Sequence, residues 1–378
     1  MSTTPDIILI TGSNGLIGSA LAQRLGQDFT VIGLDYAGSP PDALGKFLKV
    51  DLTDDASVHS ALRTVHEEFG DRIASVIHLA AYYDFSGEPS PLYDEVTVEG
   101  TARLLGGLQD LRFEVEQFVF SSTMIAHAPC EPGQFINEDW PLEPKWDYPQ
   151  SKVQTEELIR ARHGTIPIVI FRIAVVYDEW CHSLPHAHQI QRIYERQLIS
   201  HVFPGDLSRG QAALHLEDLV EAFWLAVHRR RQLPPELTLL IGEPETVSYG
   251  ELQREFGRLL HGEEWETRAI PKAVAKAGSW LENALPFGEA PFIKPWLIDI
   301  ADDHFAYDIS RAQALLGWEP RHSLRATLPA IAANLQAEPL DWYQKNKLKP
   351  PAWLVEREQQ ESPSDTSESD SKEVPEVK

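Results

Sequence analysis

The N-terminal half of the chain alternates short apolar runs with segments of helical periodicity. The apolar runs predict five strands, at 7–10, 30–34, 47–50, 75–79 and 117–120. Between them, apolar residues recur at helical spacing at 16–25, 58–69 and 96–108. Near-continuous apolar strands that alternate with helices are typical of a parallel sheet covered by helices on both faces. The pattern therefore predicts an α/β fold with a doubly wound parallel sheet.

A glycine-rich segment joins the first predicted strand to the first predicted helix, with the spacing Gly12-x-x-Gly15-x-x-Gly18. The first glycine permits a tight turn, the second lets backbone approach a pyrophosphate, and the third allows close helix–strand packing. The N–H groups and dipole at the helix N-terminus favour that anion. Asp35 ends the next predicted strand, where a carboxylate can accept from both ribose hydroxyls. No Arg or Lys occurs between 33 and 41, so the segment favours NAD over NADP.

Tyr148 and Lys152 are four residues apart, so on a helix they share one face. A nearby ammonium favours the phenolate, and we expect it to lower the pKa of Tyr148 toward working pH. A phenol and an amine placed in this way can move a proton while a dinucleotide carries the matching hydride. Ligands of such sheets bind beyond the carboxyl ends of the strands, so we expect the glycine segment, Asp35, Asp51 and Thr123 to converge there.

The order of these motifs resembles the extended short-chain dehydrogenase/reductase family, the NAD-dependent epimerase/dehydratase group. The resemblance covers roughly residues 6–335 and also includes Asp51-Leu52, His78-Leu-Ala-Ala81 and Ser121-Ser-Thr123. It implies that Thr123 hydrogen-bonds the reacting oxygen, that Tyr148 is the general acid/base, and that Lys152 activates it. Ser122 remains an alternative to Thr123. The cofactor contacts that it implies are Gly12, Asn14, Gly15, Leu16, Ile17, Gly18, Asp35, Asp51, Leu52, Leu79, Ala80, Ala81, Tyr148 and Lys152.

The family resemblance also implies how the domains are arranged. It implies a Rossmann-type sheet with a smaller, discontinuous C-terminal substrate domain. We place the NAD-binding domain at 1–178, with a helix near 215–231 returning to it, and the substrate domain and C-terminal extension at 179–355. Residues 356–378 are acidic and lack aromatics, so we expect a disordered tail. The aromatic and proline residues of 342–353 are expected to pack across the folded body.

Three departures from the family pattern bear on the substrate. Thr97 stands where the family has Asn. Gln211-Ala-Ala213 replaces a segment in which sugar-nucleotide members carry an Arg. The apolar, proline-punctuated run 272–296 resembles the substrate lobe of 3β-hydroxysteroid and dihydroflavonol reductases.

The function that follows is hydride transfer between a substrate carbinol and NAD, with Tyr148 as acid/base. A sugar or nucleotide sugar is one substrate class, and a 3β-hydroxysteroid or dihydroflavonol type of dehydrogenase or reductase is the alternative. A non-catalytic NAD-binding regulatory protein is a second alternative, for which Thr97 is the best support. The sequence does not decide between an epimerase and a dehydrogenase.

Composition narrows the range of partners. A net charge of −24 disfavours nucleic acid and anionic membranes, and no apolar run has membrane-spanning length. We therefore expect a small-molecule substrate, and a homodimer because helix-paired dimers are common in the family. Two cysteines and the absence of a signal-like N-terminus suit the cytoplasm. A zinc site among His127, Cys130, Cys181, His182, His186 and His188 is imaginable, but no C-x-x-C pair closes it, so we predict no metal.

Overall fold

A computed structural model describes residues 6–38, 41–84, 87–277 and 295–361. Its central layer is a sheet of seven strands: β1 (Ile7–Thr11), β2 (Thr30–Asp35), β3 (Lys46–Lys49), β5 (Ser75–His78), β7 (Phe118–Thr123), β8 (Ile168–Ile173) and β12 (Glu236–Ile241). They lie in the order β12-β8-β7-β5-β1-β2-β3, and every pair of neighbouring strands is parallel. Shorter paired strands are β4 (Arg72–Ile73), β6 (Glu114–Val115), β9 (Val175–Tyr177), β10 (Val202–Pro204), β11 (Ala213–His215) and β13 (Arg268–Ile270). The predicted doubly wound fold class is confirmed.

Helices cover both faces of the sheet and build the remainder of the molecule. They are α1 (Leu16–Leu25), α2 (Asp55–Phe69), α3 (Glu99–Asp110), α4 (Asp147–Arg162), α5 (Leu184–Tyr194), α6 (Leu216–His228), α7 (Tyr249–His261), α8 (Pro295–Asp299), α9 (Ser310–Leu316), α10 (Leu324–Ala337), α11 (Pro339–Lys345) and α12 (Ala352–Glu361). A π-helical segment, Tyr93–Val98, leads into α3, and 3₁₀ turns lie at Met124–Ala126 and Leu198–His201. Among the described residues, no helix is long and apolar enough to cross a membrane.

Strand β1 shows why the apolar runs are nearly continuous. Ile8 and Ile10 pack in one hydrophobic cluster, while Ile7 and Leu9 pack in another on the opposite face. Because side chains alternate across a strand and helices cover both faces, neither set faces solvent. The strand is fully buried along its length as a result.

One strand differs from its predicted bounds for a reason that involves pairing. Strand β7 runs three residues past the predicted 117–120, because Ser121–Thr123 pair in register with Phe171–Ile173 of β8. The segment 237–241, apolar and strand-sized in the sequence, is part of β12 and forms the edge of the sheet beside β8. The chain beyond residue 178 therefore returns a strand to the central layer in addition to helix α6.

The C-terminal extension packs as predicted at its start and departs from the prediction at its end. Trp342 and Tyr343 are fully buried in a third hydrophobic cluster with α5, α7 and α10, whereas Trp353 is half-exposed. The predicted disordered tail at 356–378 begins too early, because α12 continues through Glu361. Leu354, which is fully buried, anchors that helix to the body. Residues 362–378 of the predicted tail lie outside the described residues.

Candidate active site

One large cavity opens where the central strands of the sheet end. Its volume is about 1060 Å³, and its wall includes Gly12 after β1, Leu79 after β5, Thr123 at the end of β7 and Ala174 after β8. Strand order reverses beside β1, since β2 and β3 lie on one side of it and β5, β7 and β8 on the other. Ligands of doubly wound sheets bind in this crevice, beyond the carboxyl ends of the strands.

The glycine loop leaves no space for side chains. Gly12 has a φ of +71°, and a Cβ there would lie 3.0 Å from the backbone nitrogen of Ala80. A Cβ on Gly18 would lie 2.2 Å from the carbonyl oxygen of Gly12. Helix α1 follows Gly15 with no side chain capping its first turn. Its free N–H groups therefore face the cavity as a site for a phosphate group.

Asp35 is fixed beside this loop by two backbone donors. The amide of Asn14 donates to its Oδ2 over 2.9 Å, and the amide of Tyr36 donates to its Oδ1 over 2.7 Å. A carboxylate oxygen accepts more than one hydrogen bond, so both oxygens keep a lone pair for a ribose hydroxyl. The geometry fits the predicted ribose contact.

The predicted cofactor residues fall into two groups. The cavity wall includes Gly12, Gly15, Leu16, Ile17, Gly18, Leu79, Ala81, Tyr148 and Lys152. Asn14, Asp35, Asp51, Leu52 and Ala80 are not part of that wall. Hydrogen bonds from Thr53 lower the pKa of Asp51, so its carboxylate is charged, and Leu52 lies under Gly100 at the start of α3. Of the second group, Asp35 and Ala80 contact the glycine loop from outside the cavity wall.

Thr123, Tyr148 and Lys152 all line the cavity. Helix α4 carries Tyr148 and Lys152 one turn apart, and the Thr123 hydroxyl faces the phenol of Tyr148. Lys152 Nζ donates to the carbonyl oxygen of Ser121 over 2.8 Å and lies 5.8 Å from the Tyr148 ring centroid. The three predicted catalytic side chains thus meet at one place.

Burial controls the protonation of this group. It raises the pKa of Tyr148 above its ordinary value, although the hydrogen bond from Thr123 acts against it. Burial also lowers the pKa of Lys152 to about 7, and the Glu156 carboxylate opposes that shift. The expectation that Lys152 would draw down the pKa of Tyr148 was therefore wrong for this structure, because desolvation of the phenol outweighs it. Tyr148 is a neutral phenol here, so it has to lose its proton, with the help of nearby positive charge and solvent, before it can act as a base.

The structure separates the roles of two adjacent hydroxyls. Ser122 Oγ donates to Glu156 Oε1 over 2.5 Å. Arg172 donates to both oxygens of Glu156, from Nε over 3.0 Å and from Nη2 over 2.7 Å. Ser122 is therefore held in a buried charged group behind the sheet end, while Thr123 faces Tyr148.

Aromatic rings surround the phenol. Tyr83 lies edge-on to Tyr148, with ring centroids 4.7 Å apart, and Trp146 lies 5.5 Å from it on another side. Trp146 in turn contacts Trp296, at 5.0 Å. The sequence after β5 reads Tyr82-Tyr-Asp-Phe85, and its aromatic residues are candidates for stacking on a substrate. Tyr83 of this segment reaches the site. Phe85 lies outside the described residues.

With this geometry established, comparison with known families decides the assignment. The model of the NAD dependent epimerase/dehydratase family matches residues 8–242. The chain belongs to this family. The predictions of an enzyme and of NAD as its cofactor are confirmed by that membership. The glycine loop, closed to side chains and open to a phosphate group, fits the cofactor.

Individual relatives span most of the chain. The UDP-glucose 4-epimerase of Vibrio cholerae is 25% identical over 351 residues, which is 88% of this chain and 97% of that protein. The human 3 beta-hydroxysteroid dehydrogenase type 7 is 26% identical over 363 residues, 84% of this chain and 92% of that protein. Among solved structures, the UDP-glucose 4-epimerase of Thermus thermophilus, in complex with NAD, superposes with a TM-score of 0.66 at 21% identity. That match covers 88% of this chain and 99% of the other, and it shows the fold.

The Thr97 departure is accommodated by a backbone contact. Thr97 is fully buried in the π-helical segment, and its hydroxyl accepts from the amide of Tyr82 over 3.0 Å. Its carbonyl oxygen accepts from the Thr101 hydroxyl over 2.6 Å. Thr97 therefore holds the loop after β5 in place, so the Asn-to-Thr difference does not remove support for the site.

Sequence reasoning missed several polar residues at the site. Glu156 follows Lys152 at the same four-residue spacing, which could have placed it on the same face of α4. Gln189 and Arg192 of α5 and Gln253 of α7 also line the cavity. Gln189 and Arg192 follow His186 at three-residue intervals, a signal of a polar helix face.

The residues considered for zinc bind other groups. Arg172 contacts His127 over 3.2 Å, Asp178 contacts His182 over 2.6 Å, and His186 lies 3.3 Å from the Ser183 hydroxyl. These contacts do not bring the six side chains together around a common point.

A different group, His215, Glu217 and His322, has ligand atoms within 4.8 Å of one another. The amide of Glu217 donates to His215 Nδ1. That contact places the proton of a neutral His215 ring on Nε2, so this nitrogen offers no lone pair to a metal.

Proposed function

We propose that this enzyme oxidises a carbinol of a small substrate to a carbonyl, with Tyr148 taking up the proton. The observation that carries the proposal is that Thr123, Tyr148, Lys152 and the glycine loop line one cavity. Bound NAD would lie along Gly12, Gly15 and the N-terminus of α1, with its ribose at Asp35. When bound, oxidised NAD supplies a hydride acceptor and a positively charged ring.

The protein residues account for the proton and for orientation. The Thr123 hydroxyl, which faces the phenol, can hydrogen-bond the substrate oxygen and hold it beside Tyr148. The phenolate of Tyr148 takes the proton of the substrate hydroxyl as the carbon–hydrogen bond gives up its hydride. Lys152 Nζ lies 5.8 Å from the centroid of the Tyr148 ring, and positive charge lowers the cost of the phenolate in this buried position.

A sugar or nucleotide sugar is the substrate class that we favour. Relatives that span nearly the whole chain include a UDP-glucose 4-epimerase. The cavity, at about 1060 Å³, exceeds what a nicotinamide ring alone would fill, and its wall carries amide, imidazole and guanidinium groups. Polar groups of this kind match a polyhydroxylated ligand.

One observation favours a second candidate, a hydroxysteroid type of substrate. The wall near Tyr148 includes Ile125, Trp146, Leu297 and Ile298, an apolar surface that could cover a fused ring system. The human relative noted above is a 3 beta-hydroxysteroid dehydrogenase. Both candidates share the oxidation step at Tyr148.

Turnover with a panel of nucleotide sugars and 3β-hydroxysteroids tests the proposal and separates its forms. Reduced cofactor that accumulates in step with product indicates a dehydrogenase. Conversion of a sugar to its epimer without net reduced cofactor indicates an epimerase, which returns the hydride to the other face. Tight NAD binding with no turnover of any member of either class would contradict the proposal. The family resemblance also supports a homodimer, which sedimentation would show as twice the mass of one chain.

A further inference from the structure

The cavity extends away from Tyr148 to a wall built by α5 and α7. His186, Gln189 and Arg192 lie at three-residue intervals along α5 and line this wall. Tyr249 and Gln253, one turn apart on α7, line it as well. Two helices that pack against each other would usually turn apolar faces toward the interior, so a polar lining here calls for a ligand or another polar partner.

Two amides on this wall lack partners. Gln189 Nε2 and Gln253 Oε1 are buried atoms without a hydrogen bond to any described residue. The two side chains belong to residues that are 7% and 5% exposed. A buried donor and a buried acceptor without partners cost folding free energy, and such groups are uncommon unless a ligand or water satisfies them.

Arg192, which lines the same cavity and is partly buried, has no counter-ion among the described residues. Within 6–38, 41–84, 87–277 and 295–361, no carboxylate lies within salt-bridge distance of its guanidinium. Burial lowers the pKa of Arg192 to about 10, which still leaves it charged at neutral pH. A buried cation is ordinarily paired with an anion.

The charge of the cavity is opposite to that of the chain. The protein carries a net charge of −24, yet among the described residues the cavity wall has one carboxylate, Asp84, against Lys152, Arg192, Lys345 and Lys347. The wall also holds the neutral Gln211 where sugar-nucleotide relatives carry an Arg. Arg192 brings a cation to the same cavity from a different helix.

We propose that Arg192, Gln189 and Gln253 form a subsite for an anionic group of the substrate, a phosphate or a carboxylate. The guanidinium and Gln189 Nε2 donate to the oxygens of the anion, and Gln253 Oε1 accepts from a neighbouring hydroxyl of the same molecule. The subsite lies in the cavity that holds Tyr148, so one molecule can reach both. This inference rests on the proposed function and adds that the substrate is anionic.

Isothermal titration of the NAD-saturated protein tests the subsite directly. Saturating NAD fills the phosphate site at the glycine loop, so that a probe anion reports on the remaining cavity. The probes are UDP, which carries a diphosphate, and glucuronate, which carries a carboxylate and hydroxyls. The variants are Arg192→Met and, as a matched control, Arg258→Met, whose exposed guanidinium on α7 pairs with Glu255.

We expect at least one probe to bind, more weakly as salt is added, and to lose affinity about tenfold or more in Arg192→Met but not in Arg258→Met. Binding of UDP alone assigns a phosphate group, and binding of glucuronate alone assigns a carboxylate. Without ligand, Arg192→Met should melt no lower than the parent protein, because it removes an unpaired, partly buried cation. A purely structural Arg192 would lower the melting temperature.

Equal affinity in Arg192→Met and the parent, or no binding of either probe, would overturn the subsite. These measurements do not use turnover. The binding results can therefore overturn the subsite without overturning the proposed chemistry at Tyr148. Turnover results can likewise overturn that chemistry without overturning the subsite.

Discussion

Ser122 donates its hydroxyl to the buried carboxylate of Glu156 over 2.5 Å, while its neighbour Thr123 faces the phenol of Tyr148. Successive side chains of a strand point to opposite faces, so the last two residues of β7 reach different groups. The sequence Ser-Ser-Thr left the register of the catalytic hydroxyl open. Strand geometry favours Thr123 for the contact with substrate.

Alanine substitution at each hydroxyl should separate these roles. Thr123→Ala should lower kcat by about 10²-fold or more, because a hydrogen bond at the reacting oxygen is lost, with little change in melting temperature. Ser122→Ala should cost about 1–3 kcal/mol of unfolding free energy, because Glu156 loses a buried donor, and should retain most of the turnover. Steady-state kinetics and thermal unfolding measure both effects. The opposite pattern would assign the catalytic hydroxyl to Ser122.

Lys152 should make stability depend on pH in a definite direction. Its pKa is lowered from 10.5 to about 7 on folding. Between these values the unfolded chain binds more protons than the folded chain, so stability rises with pH through this window. Below about pH 7 Lys152 is protonated in the folded protein as well, and the full free-energy cost of burying its ammonium group lowers the stability.

The variant Lys152→Met removes that cost. Its melting temperature relative to the parent should therefore be more favourable at about pH 6 than at about pH 9. Lys49→Met, at an exposed position of the edge strand β3, should show the same difference in melting temperature from the parent at both pH values. If the melting temperature of Lys152→Met relative to the parent is the same at both pH values, or is more favourable at the higher pH, then folding does not lower the pKa of Lys152.

A matched pair of glycine substitutions tests the cofactor loop. The Cβ of Gly18→Ala would lie 2.2 Å from the carbonyl oxygen of Gly12 and 2.8 Å from Ser13 Cα, so loop and helix must separate. We expect NAD affinity to fall about tenfold or more, since overpacking of this kind costs about 1–3 kcal/mol. Gly106→Ala, inside α3, meets nothing within 4 Å and should stabilise the protein by about 0.5–1 kcal/mol. NAD titration and thermal unfolding give both values. Unchanged NAD binding in Gly18→Ala would mean that the loop does not hold the cofactor.

Apolar runs and helical periodicity predicted those strands and helices whose formation depends on residues close together in the sequence. Strand β1 was readable because both of its faces are buried, and α1 was predicted at its observed bounds of Leu16–Leu25. The segment 237–241 is apolar and of strand length, but its place beside β8 depends on pairing between distant segments, so it was not among the predicted strands. The predicted tail began too early because one buried side chain, Leu354, extends the last helix.

The site was predictable in its residues and less so in its energetics. Spacing alone placed Tyr148 and Lys152 on one helix face. It could not show that burial raises the pKa of Tyr148, because desolvation depends on the side chains that the fold brings around it. The absence of a counter-ion for Arg192 among the described residues is likewise a property of the assembled cavity, which no local pattern records.

The role of Tyr148 is tested most directly with the variant Tyr148→Phe. Its affinity for NAD and its turnover of a substrate that the parent enzyme converts are both measured. The substitution removes only the phenolic oxygen, so the ring contacts with Tyr83 and Trp146 stay in place. We predict NAD binding equal to that of the parent and a kcat lower by about 10²–10⁴-fold, the usual contribution of a positioned acid/base. Turnover equal to that of the parent, with NAD bound, would contradict the assignment of Tyr148 as the proton-transfer residue.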